Sequence, residues 1–309
     1  MHAPSPMPAR PVHAFAAAIA GAFLTTSPSA QTLPVGATVV SVSITPIAQL
    51  DAGLDRGGDF HGTGVIAGAS VLRQFTPSFA AGINVRYDHE SWSFASPAAF
   101  GGTAPWRNVH RPGLGLTLSW EGGSGWRAVA MPSVQWAYES GASTGDAVNW
   151  GAVLAVSKTY AKDLTLGLGA GVFREIDENR VFPIVLVDWR LSDRWRLANP
   201  FTAGPAGGAG LELIHTPGDR WEFAGGGTWR SYRFRLDRDG PTPSGIGEKR
   251  QVPVYVRASY KAGPASRLDL VAGVALAGRL VVNDRDDREL VSEDFDPAPI
   301  LGVTFQTRF

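Results

Sequence analysis

From about residue 36 to the end, apolar and polar residues alternate in runs of roughly ten, each run bounded by turn residues. In AAGINVRYDHE, Ala81, Ile83, Val85 and Tyr87 share one face, while Gly82, Asn84, Arg86 and Asp88 share the other. In WRAVAMPSVQWAYE one face carries Trp126, Ala128, Ala130, Pro132, Val134, Trp136 and Tyr138. Val252, Val254, Val256, Ala258 and Tyr260 oppose Gln251, Pro253, Tyr255, Arg257 and Ser259 in the same way. A period of two puts each set on its own side of a β-sheet. No convincing helical periodicity interrupts the runs, and no stretch is long and apolar enough to predict a transmembrane helix.

A soluble β-sandwich alternates too, so the connections carry the next step. Short turns fall at Thr76–Ser78, Glu121–Gly125, Ala161–Asp163, Leu191–Arg194, Pro217–Arg220 and Lys261–Ser266. Between them lie longer links at Asp51–Asp59, Ala95–Asn108, Ser140–Gly145, Asp237–Gly247 and Asn283–Asp296, with Asp177–Arg180 a short exception. Short turns at one end and long loops at the other predict a membrane-spanning barrel. Trp120, Trp126, Tyr160, Trp189, Trp195, Trp221 and Tyr260 edge five of the six short turns. Rings with an apolar body and a polar tip favour the membrane–water boundary.

The fold expected is all-β: a transmembrane antiparallel up-and-down barrel of about 14 strands, with 12 the alternative. Strand starts are predicted near residues 37, 60, 79, 109, 126, 146, 164, 181, 195, 208, 221, 248, 267 and 298. The segment RWRLANPFTAGPAGGAGLELIH is read as two short strands either side of PFTAGPAGG. Gly225–Gly227 is read as a change of phase, turning Trp221, Phe223, Tyr232 and Phe234 outward and leaving Arg233 and Arg235 inside.

Residues 1–30 are set apart as a signal peptide: Arg10, the apolar run Ala14–Leu24, then the small residues TTSPSA. Residues 31–309 form the barrel domain. The full chain holds 28 basic and 28 acidic residues, so no global field draws it to nucleic acid, and no nucleic-acid partner is expected. Cysteine is absent, which removes disulfides, thiolate metal sites and cysteine nucleophiles together.

The last nine residues, LGVTFQTRF, set Leu301, Val303, Phe305, Thr307 and Phe309 on a lipid face and Thr304, Gln306 and Arg308 on an inner one. With the leader and the turn asymmetry, this makes residues 36–309 resemble Gram-negative outer-membrane β-barrel proteins, in particular porin-like barrels of unknown function. Gly302, Phe305, Thr307 and Phe309 look like the C-terminal signal read by the barrel assembly machinery; Thr307 departs from the aromatic or aliphatic residue more common there. The resemblance implies an outer-membrane location, with outer-membrane lipid and that machinery as partners.

Candidate chemistry sits on the predicted inner face: Arg86, Asp88, Glu139, Asp188, Arg190, Arg233, Arg235 and Arg257. Such groups either set selectivity for small polar solutes or form paired charges that stiffen the wall. The acidic stretch Asn283–Asp296 lacks the calcium-loop pattern and is read as a solvated loop. Gly167, Gly169 and Gly171 fall within a strand with no helix after them, so they do not form a phosphate loop. No cofactor, metal or catalytic residue is assigned. The expected function is a passive or weakly selective pore for small polar solutes. The alternatives are a barrel enzyme acting on lipid or peptide, a hydrolase built around Asp88, His89 and Ser91, and a structural or adhesive barrel with a sealed lumen.

Overall fold

The computed structural model describes residues 33–200 and 209–309. The proposed leader and most of the Pro200–Gly208 connection therefore lie outside the described residues. Fourteen strands close one antiparallel barrel: β1 (Thr38–Gly53), β2 (Asp59–Thr76), β3 (Phe79–Ala95), β4 (Asn108–Glu121), β5 (Trp126–Trp136, continued by Tyr138–Glu139), β6 (Val148–Ala161) and β7 (Leu164–Glu175). The second seven are β8 (Glu178–Arg190), β9 (Trp195–Ala198), β10 (Gly210–His215), β11 (Trp221–Thr228, continued by Arg230–Arg235), β12 (Ile246–Lys261), β13 (Ser266–Asn283) and β14 (Glu289–Phe295, continued by Ala298–Arg308). Closure comes from β14 pairing with β1, Ser41 opposite Arg308 and Gln49 opposite Ile300. The last backbone amide, on Phe309, donates to the Val40 carbonyl, so no strand edge is left at that join.

The outer face divides by height. From the short-turn end it carries Trp120, Trp126, Trp189, Trp195 and Trp221, all exposed, and then a band including Ile83, Val85, Leu114, Leu116, Leu154, Val185, Leu270 and Val303. Above the band the outward residues turn polar: His61, Ser91, Ser93, Arg279 and Asp294. An exposed apolar band with an aromatic rim on a closed barrel is a lipid-facing surface. The protein is a β-barrel of outer-membrane type, and the short turns mark its periplasmic end.

Three strands adjust their phase where they leave the band, and the glycine run is not one of them. In β13 one extra residue at Ala277, with φ of 48°, shifts the register against β12 between Arg250 and Val252. In β14 the break is Asp296–Pro297, and in β1 it is Leu50–Asp51, where the register against β2 shifts between Gln49 and Ala52. Along β11 the register with β12 runs unbroken from Trp221–Tyr260 to Arg235–Ile246. Gly225–Gly227 therefore changes nothing, and Tyr232 and Phe234 point inward, contrary to the expectation. The links Asp51–Asp59 and Asn283–Asp296 are also shorter than expected, because β1, β2, β13 and β14 extend past the membrane as hairpins.

The wall does not close at one diameter all the way up. The Arg235 amide donates to the Ala137 carbonyl at 2.9 Å, and Arg235 bridges Tyr138 in parallel. The tip of β11 is thereby joined to the tip of β5, skipping β6 to β10. A smaller barrel of nine strands, β1–β5 and β11–β14, results at the extracellular end. The tips of β6, β7 and β8 stand outside it, against the opposite face of β11 and β12.

Candidate functional site

The enclosed space has three parts, and the first is the periplasmic half of the lumen. Ion pairs line it. The Arg257 guanidinium donates to Glu212 at 2.7 Å and to Glu222 at 2.9 Å; Arg267 donates to Glu222 at 3.0 Å and Asp269 at 2.6 Å. The Tyr255 hydroxyl adds a bond of 2.9 Å to Glu212, whose side chain is wholly buried. Across the lumen Arg86 holds Asp88 through two bonds of 2.7 and 2.9 Å, and Arg196 holds Asp188 through two of 2.6 and 2.7 Å. Bidentate geometry of this kind keeps both charges in register and satisfies most of their polar atoms.

The second part is the interior of the small extracellular barrel, filled by aromatic and aliphatic side chains. Phe60 lies edge-on to Phe295 at 4.9 Å and stacked with Phe94 at 5.5 Å; Trp106 meets Phe234 edge-on at 5.2 Å. Ala52, Leu236, Leu280 and Val282 complete a core as dry as that of a soluble domain. Two rings lie over glycines: a Cβ at Gly62 would stand 2.4 Å from the Trp92 ring, and one at Gly278 would stand 2.0 Å from Phe295. Glycine is required there because the rings occupy the space a side chain would take. Glu139 sits at the rim, accepting from the backbone amides of Arg107 at 2.8 Å and Asp237 at 3.1 Å. Burial pushes its carboxyl above the usual range, against those two donors.

The third part lies between the inner faces of β5–β8 and the outer face of β11 and β12. Its floor is apolar, built from Val129, Met131, Val153, Phe173 and Phe182. Charges form its roof. Arg180 reaches Glu178 at 2.9 Å and Glu248 at 3.5 Å, Arg233 reaches Glu178 at 3.0 Å and Asp287 at 2.5 Å, and Arg235 reaches Asp177 at 2.8 Å. These pairs join strands whose backbones do not. Among the described residues, β8 bonds β9 only over Asp188–Arg190. Beyond that Asn199 stands in: its backbone amide donates to the Val187 carbonyl at 3.2 Å, and its side chain accepts from the Val187 amide at 2.8 Å and donates to the Val185 carbonyl at 3.1 Å.

The eight sequence candidates thus fall in four places. Arg86, Asp88, Asp188 and Arg257 face the periplasmic lumen. Glu139 closes the rim of the small barrel. Arg233 and Arg235 are buried in the side compartment, on the face of β11 opposite to Tyr232. Arg190 is exposed at the periplasmic turn, its amide bonded to the Asp163 carbonyl. Asp88 points inward while His89 and Ser91 point outward, so those three do not meet. His89 stacks on His110 at 4.7 Å instead. Nor is the acidic stretch Asn283–Asp296 a free solvated loop: Asp294 takes two bonds from Arg279, Asp287 binds Arg233, and Arg56 binds Glu293. Gly302, Thr304 and Ile300 of the closing strand line the interior, and Phe305 and Phe309 are exposed to the lipid side.

One cluster went unread in the sequence. Just above the lipid band, beneath the aromatic core, Glu90, Trp92, Arg230, Tyr232 and Lys249 converge on a cavity of about 30 Å³ bordered by Gln49 and Gln251, with Arg111 packed on the Tyr232 ring. Arg230 was hidden by the phase change assigned to the glycine run, which turned Tyr232 outward. Had β11 been read in a single phase, Arg230, Tyr232 and Phe234 would have lined up with the inner residues of β12.

No curated protein matches the sequence. Among solved structures, the toluene transporter TodX of P. putida aligns at 12% identity over 89% of this chain and 91% of its own, with a TM-score of 0.44. A FadL homologue of Pseudomonas aeruginosa aligns at 9% identity over 88% and 89%, with a TM-score of 0.41. The KdgM porin, solved with disordered oligogalacturonate, aligns at 10% identity over 85% and 98%, with a TM-score of 0.35. At these scores none of them bears on what this chain carries. The family model described as a domain of unknown function, DUF6268, matches residues 126–308, more than half of the chain. The chain belongs to that family, the DUF6268 domains.

Proposed function

We propose that the protein is an outer-membrane channel for small polar solutes, narrow and closed at its extracellular end in the conformation described. The observation that supports this most is the change of lining with height. The periplasmic lumen is polar and charged on its inner face, as a water-filled passage requires, and it ends under an aromatic core with a cavity of only about 30 Å³. Fourteen strands lie between the small barrels filled by side chains and the large ones with open channels, so a constricted passage fits the size.

The test is conductance of purified protein in planar bilayers, with a heat-modifiable gel shift to prove folding. Wild type is expected to show infrequent, small steps, and Trp106→Ala, which removes the ring between Phe94 and Phe234, longer and larger ones. Silence of both folded proteins would overturn the reading. It would favour a structural barrel with a sealed lumen, the second reading, for which the fully buried Phe60, Trp106 and Leu236 speak.

The closing strand supports a role in biogenesis. Phe309 is 77% exposed beyond the last strand residue, and Phe305 continues the same lipid-side row. Gly302, Phe305, Thr307 and Phe309 fit a signal for the barrel assembly machinery, with the lipid of the outer membrane as the partner of that row.

A further inference from the structure

We infer that the cavity beneath the aromatic core is a binding site for one small monovalent anion, held between Arg230 and Lys249. The cations outnumber the carboxylates there. Arg111 is committed to Glu90, to which it donates, and Asp88 to Arg86. Arg230 and Lys249 have no carboxylate within 4.0 Å among the described residues. Lys249 gives one hydrogen bond of 2.5 Å to the Gln49 side-chain oxygen and lies 3.9 Å from the Trp92 ring centroid. The Arg230 guanidinium lies 5.2 Å from the Tyr232 ring, and its Nε and one Nη have no hydrogen-bond partner although the residue is only 5% exposed.

The carboxylate on the cavity, Glu90, is already bonded to Arg111, and two further cations buried beside a single carboxylate are costly, by several kcal/mol each in general. Unpaired donors on a buried guanidinium add to that cost. The Gln49 amide nitrogen, also without a partner, gives a further donor at the same cavity, and the Gln251 side-chain oxygen is an acceptor there without a partner. Three kinds of donor around one hole, two of them charged, fit an anion.

The size narrows the class. A cavity of about 30 Å³ holds roughly two waters, since one water needs on the order of 10–15 Å³. A halide or the carboxylate of a one-carbon acid fits; phosphate with its hydration or a sugar acid does not. Tyr232, with guanidinium groups near its ring from Arg111 at 4.4 Å and Arg230, fixes the cationic side of the site. The inference deepens the channel reading by assigning the lumen a preferred charge, but binding is measured here without conduction, so either can fail alone.

The experiment uses the full barrel in detergent, at constant sodium and constant ionic strength, with chloride, bromide or formate replacing gluconate, which is too large for the cavity. The thermal midpoint of the wild type is expected to rise saturably with each small anion, because a ligand that binds only the folded state stabilises it. Arg230→Gln should lose at least tenfold in apparent affinity, and Lys249→Gln should weaken it as well. Crystals grown in bromide should show an anomalous peak between Arg230 and Lys249, a readout that needs no variant to fold. Equal midpoints in chloride and gluconate, an unchanged response in Arg230→Gln, or a bromide-free cavity holding only water would each overturn the inference.

Discussion

The two ends of the lumen solve the same problem with opposite chemistry. Around Arg257, Glu212 and Glu222 the interior is held by charges, each with a partner. Around Phe60, Trp106 and Phe295 the interior is held by ring against ring, with no room for water. The difference follows from the outside. Where lipid covers the outer face, apolar residues point outward and polar ones are left for the interior. Above the lipid the outer face meets water, so the inside can be packed as in a soluble domain, and β1, β13 and β14 change phase there, at Leu50–Asp51, Ala277 and Asp296–Pro297. Cap and lumen are two solvents joined by three bulges.

That contrast can be broken from either end. The largest effect is expected in the cap: Phe60→Ala removes a fully buried ring and should cost about 3–5 kcal/mol in denaturant unfolding. Next is Arg257→Met, which leaves Glu212 buried without its cation; a loss of about 3 kcal/mol is expected, since breaking a buried pair costs more than the pair is worth. The double variant Arg257→Met with Glu212→Gln should recover much of that loss, whereas no second substitution in the cap should rescue Phe60→Ala.

A smaller effect is expected at the seam of the barrel. Deleting Phe309 removes two backbone hydrogen bonds to Val40, of 2.9 and 3.1 Å, worth about 1–3 kcal/mol together. Assembly in cells should suffer far more than this, which separates a recognition role from a stabilising one in a comparison of refolded and membrane-inserted yields. The smallest effect is expected at the exposed extracellular pair Arg279–Asp294, where Arg279→Ala should cost no more than about 1 kcal/mol and less at high salt. The bonds from Arg279 hold the Asp294 carboxyl below the usual range. The pair's contribution is therefore present above that range and fades as pH falls through it.

The barrel was legible because its signals are local: period two, short turns, and rings at the turn edges. The strand starts, the two short strands around PFTAGPAGG and the pairing of LGVTFQTRF with the first strand all rest on those signals. What stayed hidden depends on the third dimension. Period two says that Tyr232 and Arg233 face opposite ways, but above the membrane both faces of β11 are buried, one by Arg111 and the other by the β8 tip. Hydrophobicity cannot choose between two buried faces, so the glycine run was asked to supply a phase change it does not make. The cavity around Arg230 and Lys249 was lost with it. Likewise, the pinch at Ala137–Arg235 is made by two backbone groups nearly a hundred residues apart, and no pattern along either strand announces it.

Because the chain contains no cysteine, one introduced thiol reports on one place in the lumen. The most direct measurement compares the rate at which a small maleimide labels Asn84→Cys, in the charged periplasmic half, with the rate for Ala52→Cys, in the aromatic cap. Both are read in folded, detergent-solubilised protein. Asn84→Cys is expected to react at close to the rate of a free thiol, and Ala52→Cys to be slower by about a thousandfold, labelled only as the cap unfolds locally. Comparable rates at the two positions would contradict it, because the cap would then be open to water like the half below.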